Sequence, residues 1–135
     1  MPNNLSVLLV EDVPDNANLA ELIFIRAGFA VTTVARGADA LTALDRGTYD
    51  VVALDIRLPD MDGLVLARAL RADARLEQAP IVAITAHAMK GDRERALEAG
   101  CDAYVTKPVD TRSLAQDLVL IVDEFRAHRG SPAPP

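Results

Sequence analysis

The sequence predicts an α/β domain in which five strands and five helices alternate, (βα)5, around an open, doubly wound parallel sheet. Five short apolar runs recur along the chain, and segments with helical spacing separate them. The runs do not alternate polar and apolar residues, which is typical of strands covered on both faces, as in parallel sheets. Right-handed helical crossovers between such strands produce the doubly wound arrangement.

The elements follow from local signals. The predicted strands cover residues 7–10, 31–34, 51–54, 81–84 and 103–105. The first helix begins after Pro14 and stops at Gly28, because proline suits a first helical turn and glycine suits a helix end. Its predicted apolar side carries Leu19, Leu22 and Ile23.

The later helices are marked in the same way. Gly37 precedes the second helix, Asp62 and Gly63 open the third, and Gly100 ends the fourth. Asp110 is placed to cap the fifth helix. The apolar stripes of the third and fifth helices contain residues 66, 70, 114, 118, 121, 122 and 125.

Length and composition restrict the function classes. The 135 residues make one domain, predicted over 5–127, and a proline-rich tail, 128–135, predicted to be disordered. The net charge of −6 and the absence of Trp argue against direct binding to nucleic acid. No apolar run reaches the roughly 20 residues of a membrane span, and no secretory signal is present. The one cysteine, Cys101, suits a reducing cytoplasm and is predicted to be a buried, inert thiol.

Five polar residues follow or end predicted strands. They are Glu11, Asp12, Asp55, Thr85 and Lys107. Ligands of doubly wound sheets bind beyond the carboxyl ends of the strands, so the fold would bring these side chains together. Like carboxylates about 4 Å apart repel by roughly 4 kcal/mol at an effective dielectric constant of 20. A hard cation with oxygen ligands, Mg²⁺, offsets that repulsion, and the chain has no His/Cys cluster for zinc.

Each of these residues also has an ordinary structural interpretation. The acids after the first strand could cap a helix, and Asp55 could be a turn former. Thr85 favours strands, and a lysine such as Lys107 is usually solvated. The combination at one sheet edge favours a metal and phosphate site.

At these positions the chain resembles the receiver domains of bacterial response regulators (CheY-like), across residues 5–127. The matching segments are 10–12 (Val-Glu-Asp), 54–63 (Leu-Asp-Ile-Arg-Leu-Pro-Asp-Met-Asp-Gly), 84–86 (Ile-Thr-Ala) and 104–108 (Tyr-Val-Thr-Lys-Pro). The resemblance implies a flavodoxin-like sheet with strand order 2-1-3-4-5. It also implies that Asp55 accepts a phosphoryl group from a phosphohistidine, with Mg²⁺ as cofactor and Mn²⁺ as a substitute.

The resemblance assigns further roles, which are expectations here. Asp12, Asp55 and the Arg57 carbonyl would bind the metal, with Glu11 acting through a metal-bound water. The phosphoryl contacts would come from Thr85, the Ala86 amide and Lys107. Thr85 and Tyr104 would form the switch that remodels the surface of the fourth helix, fifth strand and fifth helix. The side chains of Arg57 and His87 would tune the rate of hydrolysis.

The resemblance also implies partners. A sensor histidine kinase or a histidine phosphotransfer protein would donate the phosphoryl group, and a downstream protein effector would recognise the phosphorylated surface. We expect a cytoplasmic monomer or weak phosphorylation-dependent dimer that contacts neither membrane nor nucleic acid. We expect it to catalyse only its own phosphorylation and dephosphorylation, so it is not an enzyme in the usual sense.

Several alternatives stay open at this point. The preferred interpretation is a stand-alone regulator, similar to DivK-type regulators. One alternative is a receiver domain excised from a hybrid histidine kinase. The other is a pseudo-receiver, which would bind its partner without being phosphorylated. A haloacid-dehalogenase phosphatase needs a second acid where Arg57 stands. A flavodoxin-like electron carrier would need a phosphate-binding loop after the first strand, and this chain has two acids there instead.

Overall fold

The strands form one parallel sheet with the order β2-β1-β3-β4-β5, which confirms the expected topology. The computed structural model describes residues 4–85, 91–106 and 113–130. In chain order the elements are β1 Ser6–Val10, α1 Pro14–Arg26, β2 Ala30–Val34, α2 Gly37–Ala43, β3 Val51–Leu54, α3 Gly63–Ala72, β4 Ile81–Thr85, α4 Asp92–Glu98, β5 Ala103–Thr106 and α5 Leu114–Gly130. A short 3₁₀ turn, Ala74–Leu76, lies between α3 and β4.

The sheet separates two apolar cores. Leu8 and Val52 point to one face, where residues of α2, α3 and α4 pack against them. Their neighbours Val7 and Val51 point to the other face, which α1 and α5 cover. The central strand β3 is buried along its whole length, as its unbroken apolar run predicts, whereas the edge strand β2 is partly exposed.

The apolar side of α1 differs from the prediction. Leu19 and Leu22 are 47% and 48% exposed, whereas Ala17 and Phe24 are buried. Ile23 is only partly buried. Phe24 is held by an edge-to-face contact with Phe29, with ring centroids 5.5 Å apart. Apolar residues occupy both sides of this helix, so spacing alone placed Ile23 correctly against the core but wrongly included Leu19 and Leu22.

Helix α5 extends into the segment that was predicted to be a disordered tail. It continues to Gly130, three residues beyond the predicted domain boundary at residue 127. Its predicted stripe is confirmed at Leu114, Leu118 and Val122, which are all buried. The rest of the predicted tail, 131–135, and the predicted cap Asp110 lie outside the described residues. Within the described ranges, no helix combines the length and the apolar character that crossing a bilayer requires.

Aspartates close the amino edge of the sheet. Asp50 precedes β3 and accepts a hydrogen bond from the Ser6 amide of β1 at 2.8 Å. Asp102 precedes β5 and accepts one from the Ile81 amide of β4, also at 2.8 Å. Each aspartate also accepts a bond from an arginine, at 2.5 Å from Arg126 and 2.8 Å from Arg71 respectively. Strand amides and arginines therefore compensate the charge of both acids at this edge.

Cys101 lies between α4 and β5 and is 5% exposed, which confirms the predicted buried thiol. Burial raises the pKa of this thiol to about 11, and the neighbouring Asp102 carboxylate adds to the effect. Because the thiolate is the reactive form, both the raised pKa and the limited access protect the sulfur.

We predict that Cys101 reacts with iodoacetamide at pH 8 at least about a hundredfold more slowly in the folded protein than in guanidinium. The folded pKa lies above this pH, so almost no thiolate forms, and unfolding restores both the ordinary pKa and access. Intact mass against time measures the rates without ambiguity, because the chain has a single cysteine. Equal rates in both states would contradict the buried position.

Gly63 is the first residue of α3 and lies against the main chain of Ile56. A Cβ added at Gly63 would be 2.3 Å from the Ile56 Cα and 2.5 Å from its carbonyl oxygen. The Gly63 amide donates to that same carbonyl at 3.0 Å. Close backbone approach therefore requires glycine here, and it holds the start of α3 against the segment that follows β3.

We predict that Gly63→Ala lowers the free energy of unfolding by about 1–3 kcal/mol, since main chain must move to admit the methyl group. Gly47→Ala is the matched control, because its added Cβ would be 3.4 Å from the Tyr49 hydroxyl oxygen, an ordinary van der Waals distance to a side chain. That control should change stability by no more than about 0.5 kcal/mol. Urea denaturation followed by circular dichroism measures both, and equal effects would refute the steric explanation.

Candidate functional site

Three of the predicted site residues form an acidic cluster at the carboxyl edge of the sheet. One carboxylate oxygen from each of Glu11, Asp12 and Asp55 lies within 4.8 Å of the others. The parallel pairing of β1 with β3 brings them together, because it aligns Val10 with Leu54. The Asp55 amide extends this ladder by donating to the Val10 carbonyl at 2.9 Å.

The environments of these acids differ. Glu11 is 6% exposed, and the Val13 amide donates to its carboxylate at 3.4 Å. Asp12 is half-buried. Like charges at the separation of this cluster, up to 4.8 Å, repel by roughly 3–4 kcal/mol at an effective dielectric constant of about 20. Three such groups together form a site that attracts a cation.

The donor set of the cluster fits Mg²⁺. It offers carboxylate oxygens, which hard divalent cations prefer, and among the described residues it contains no imidazole or thiolate. The buried Glu11 and half-buried Asp12 also reduce competition from bulk water on one side of the site. The structure thus confirms that the three acids lie together and could hold a metal ion, and metal binding itself stays a prediction.

The segment after β3 folds back as a small hairpin beside the cluster. Arg57 and Asp62 form an isolated antiparallel bridge that closes it. The Arg57 amide donates to Asp55 Oδ1 at 2.9 Å, so the hairpin holds the orientation of that carboxylate. Asp62 caps α3 through the Leu64 amide at 2.8 Å, as the Asp-Gly pair predicts. The main chain of Arg57, which the resemblance assigns to the metal, therefore lies directly beside Asp55.

The tip of this hairpin makes a contact that the sequence analysis missed. Asp60 accepts hydrogen bonds from the Gly37 amide at 2.9 Å and the Ala38 amide at 3.1 Å, both at the start of α2. These bonds lower the pKa of Asp60. Arg36 occupies the N-cap position of α2, and its side chain makes no capping hydrogen bond. That missing local cap was the only sequence signal for the contact.

Tyr104 lies on β5, aligned with Ala83 of β4. Its half-buried ring packs against the core on the side of α2, α3 and α4. The phenol oxygen is buried and has no hydrogen-bond partner among the described residues. Burial raises the pKa of Tyr104, and the nearby Asp92 carboxylate contributes to the rise.

The residues predicted to contact the phosphoryl group or to tune its hydrolysis lie largely outside the described residues. Thr85 is the last residue of β4 and pairs with Thr106 of β5, which places its backbone at the carboxyl edge as expected. Ala86, His87 and Lys107 are not among the described residues. Their predicted roles therefore stay predictions.

The fold and the acidic cluster define a doubly wound α/β domain with a candidate divalent-cation site at the carboxyl edge of its sheet. Residues 7–119 match the family model of the response regulator receiver domain, and the chain belongs to this family. A phosphoacceptor role in two-component systems is general for the family, and its members interact with histidine kinases and downstream effectors.

Two curated relatives indicate how differently such domains are used. The transcriptional regulatory protein GltR of Pseudomonas aeruginosa is 42% identical over 112 residues, covering 83% of this chain and 46% of GltR. The polar-differentiation response regulator DivK of Brucella anthropi is 36% identical over 104 residues, covering 77% of this chain and 85% of DivK. The chain thus spans less than half of the first relative and most of the second.

A solved structure extends the comparison to the site. The receiver domain of a sensor histidine kinase from Pseudomonas aeruginosa PAO1 has a TM-score of 0.81 and 38% identity to this chain. The match covers 89% of this chain and 98% of that domain. That structure has a magnesium ion coordinated in the active-site cleft.

We predict that Mg²⁺ raises the melting temperature of the wild-type protein and does not raise that of Asp12→Asn. Binding to the folded state stabilises it by about 2.7 kcal/mol when Mg²⁺ is present at a hundred times its dissociation constant. Without Mg²⁺, Asp12→Asn should melt higher than wild type, because one repelling charge is gone.

Differential scanning calorimetry with EDTA or excess Mg²⁺ measures both effects. Asp123→Asn is the charge-matched control, because Asp123 is exposed on α5, which packs on a face of the sheet. It should respond to Mg²⁺ like wild type. An Mg²⁺ response retained by Asp12→Asn would place the cation elsewhere.

Proposed function

We propose that this chain is a phosphoacceptor receiver that takes a phosphoryl group from a phosphohistidine onto Asp55. The observation that carries the proposal is the clustering of Glu11, Asp12 and Asp55, with oxygens within 4.8 Å, next to a hairpin that orients the Asp55 carboxylate. Family membership over residues 7–119 supports the same assignment.

In the proposed reaction an Asp55 oxygen attacks the phosphorus of the phosphohistidine. The new oxygen–phosphorus bond forms as the phosphorus–nitrogen bond breaks, and the imidazole leaves with the electron pair and takes up a proton from solvent. Asp55 needs little rearrangement, since the Arg57 amide already holds its Oδ1. Positioning and charge compensation account for most catalysis of phosphoryl transfer, which suits a site of this kind.

Mg²⁺, when bound, supplies positive charge against the phosphoryl oxygens and the acidic cluster. Asp12, Asp55 and the Arg57 carbonyl would hold it, with Glu11 acting through a water, and we propose that Mn²⁺ substitutes. The half-buried position of Asp12 and the Asp55–Arg57 hydrogen bond are consistent with these roles.

The remaining roles are proposed from family membership. Thr85, the Ala86 amide and Lys107 would contact the phosphoryl oxygens, and Arg57 and His87 would control access of water. Thr85 would move toward the phosphoryl group and Tyr104 would fill the space it leaves. The phenol oxygen of Tyr104 is buried and lacks a hydrogen-bond partner among the described residues. This supports the proposed movement, because no such bond fixes the side chain in its present rotamer.

The proposed readout is a protein–protein contact of the surface formed by α4, β5 and α5. A sensor kinase or histidine phosphotransfer protein would donate the phosphoryl group, and a protein effector would bind the altered surface. The likeness to DivK supports an independent regulator, and the likeness to a kinase's receiver domain supports a unit of a phosphorelay. Since the site lies within residues 11–107, the chemistry at Asp55 would be the same in either setting.

We predict that the wild-type protein gains the mass of one phosphoryl group when it is incubated with acetyl phosphate and Mg²⁺, and that Asp55→Asn gains none. Intact mass spectrometry measures the product. EDTA should suppress the gain, and the exposed-charge control Asp123→Asn should retain it. If wild type stays unmodified with several small phosphodonors, a phosphate-independent binding module becomes the better proposal.

A further inference from the structure

The contact between Asp60 and α2 is not required by the proposed chemistry, yet it is tied to the site through the hairpin. Asp60 lies at the tip, three residues after Arg57, and its two carboxylate oxygens accept bonds from consecutive amides, Gly37 and Ala38. The neighbouring Met61 occupies the space beside Gly37, where a Cβ would be 2.5 Å from the Met61 sulfur. The hydrogen bonds to Asp60 and the packing of Met61 against Gly37 thus hold the tip of the hairpin against the start of α2.

The other end of the hairpin bears on the phosphoacceptor. The Arg57 amide holds Asp55 Oδ1, and the Arg57–Asp62 bridge makes the hairpin a single closed unit. The base is anchored by the Gly63 amide bond to Ile56. A shift of the tip would therefore be transmitted to the Arg57 main chain and to the orientation of the Asp55 carboxylate.

We propose that Asp60 is a positioning residue for phosphorylation, which holds the hairpin on α2 so that the Arg57 main chain stays in register with Asp55. This inference rests on the proposed function of Asp55. The Asp60 carboxylate bonds α2 and is not part of the acidic cluster of the described residues, so in this proposal it acts through the hairpin. Its bonds to α2 also connect the β2–α2 region to the site.

The sequence supports a specific role for Asp60. Helix α2 has seven residues, and its N-cap, Arg36, makes no side-chain cap bond. The acid in its own first turn, Asp39, is exposed and makes no hydrogen bond or ion pair with the hairpin in the described part of the chain. The carboxylate that bonds the first amides of α2 is thus supplied from 23 residues further along the chain.

The test compares Asp60→Ala, Asp60→Asn and Asp39→Ala with wild type. Asp39→Ala removes an equal charge from the same helix end and leaves the bonds between Asp60 and the Gly37 and Ala38 amides intact. We expect Asp60→Ala to raise the Mg²⁺ concentration for half-maximal phosphorylation by acetyl phosphate about tenfold, as loss of outer contacts at metal sites commonly does. Asp60→Asn keeps an oxygen acceptor and should recover part of the loss, and Asp39→Ala should behave like wild type.

A second readout needs neither metal nor phosphate. In Mg²⁺-free protein, amide hydrogen exchange at Arg57 should accelerate in Asp60→Ala and stay unchanged in Asp39→Ala, with Val52 in the core as the reference for global unfolding. Unchanged exchange at Arg57 together with an unchanged Mg²⁺ requirement would overturn the positioning role. If Asp60→Ala does not fold, the same two measurements on Asp60→Asn decide.

The outcomes separate this inference from the proposed function. A wild-type protein that takes no phosphoryl group contradicts the role of Asp55, whatever the variants do. A wild-type protein that is phosphorylated normally while both Asp60 variants match it contradicts only the role of Asp60. A loss in Asp39→Ala as large as that in Asp60→Ala would assign the effect to helix charge, and would also overturn the inference.

Discussion

The parallel pairing of β1 with β3 is the constraint on which the site depends. It aligns Val10 with Leu54, so the residues that follow the two strands emerge side by side. Both strands are buried, and a slip of one residue would turn every side chain to the opposite core. The apolar packing of two cores therefore fixes the register, and the register brings Asp12 and Asp55 to within a few ångströms although they are far apart in sequence.

Sequence patterns predicted the parts that depend on local or repeated signals. The buried run of β3 and the Asp62 cap of α3 are features of this kind, and both were confirmed. The exposed face of α1 was not predicted, because Leu19 and Leu22 have the same spacing as a core stripe and only tertiary packing distinguishes the two sides. The bond from Asp60 to α2 was missed for a related reason, since the missing local cap at Arg36 does not indicate which residue bonds the first amides of the helix.

Placing the acidic cluster at the sheet edge has a cost in stability that its function explains. Neutral side chains there would remove the mutual repulsion of three carboxylates. They would also avoid the burial of a charged group at position 11, where Glu11 is buried. Natural proteins retain such local conflicts mainly at functional sites. A bound cation would offset this repulsion, which makes the cluster a candidate metal site.

The two edges of the sheet treat their acids differently, and backbone direction is the reason. At the amino edge of the sheet the first strand amides are available as donors, and there Asp50 and Asp102 accept bonds from Ser6 and Ile81. At the carboxyl edge the strands end in carbonyl groups, which are acceptors and bond amides such as that of Asp55 rather than carboxylates. The acids of the cluster must obtain donors from the loops that follow, such as the Arg57 amide that bonds Asp55. A carboxylate at the amino edge is thus compensated by the sheet, whereas Asp55 at the carboxyl edge obtains its donor from the following loop, which is why we propose that the hairpin held by Asp60 bears on the chemistry.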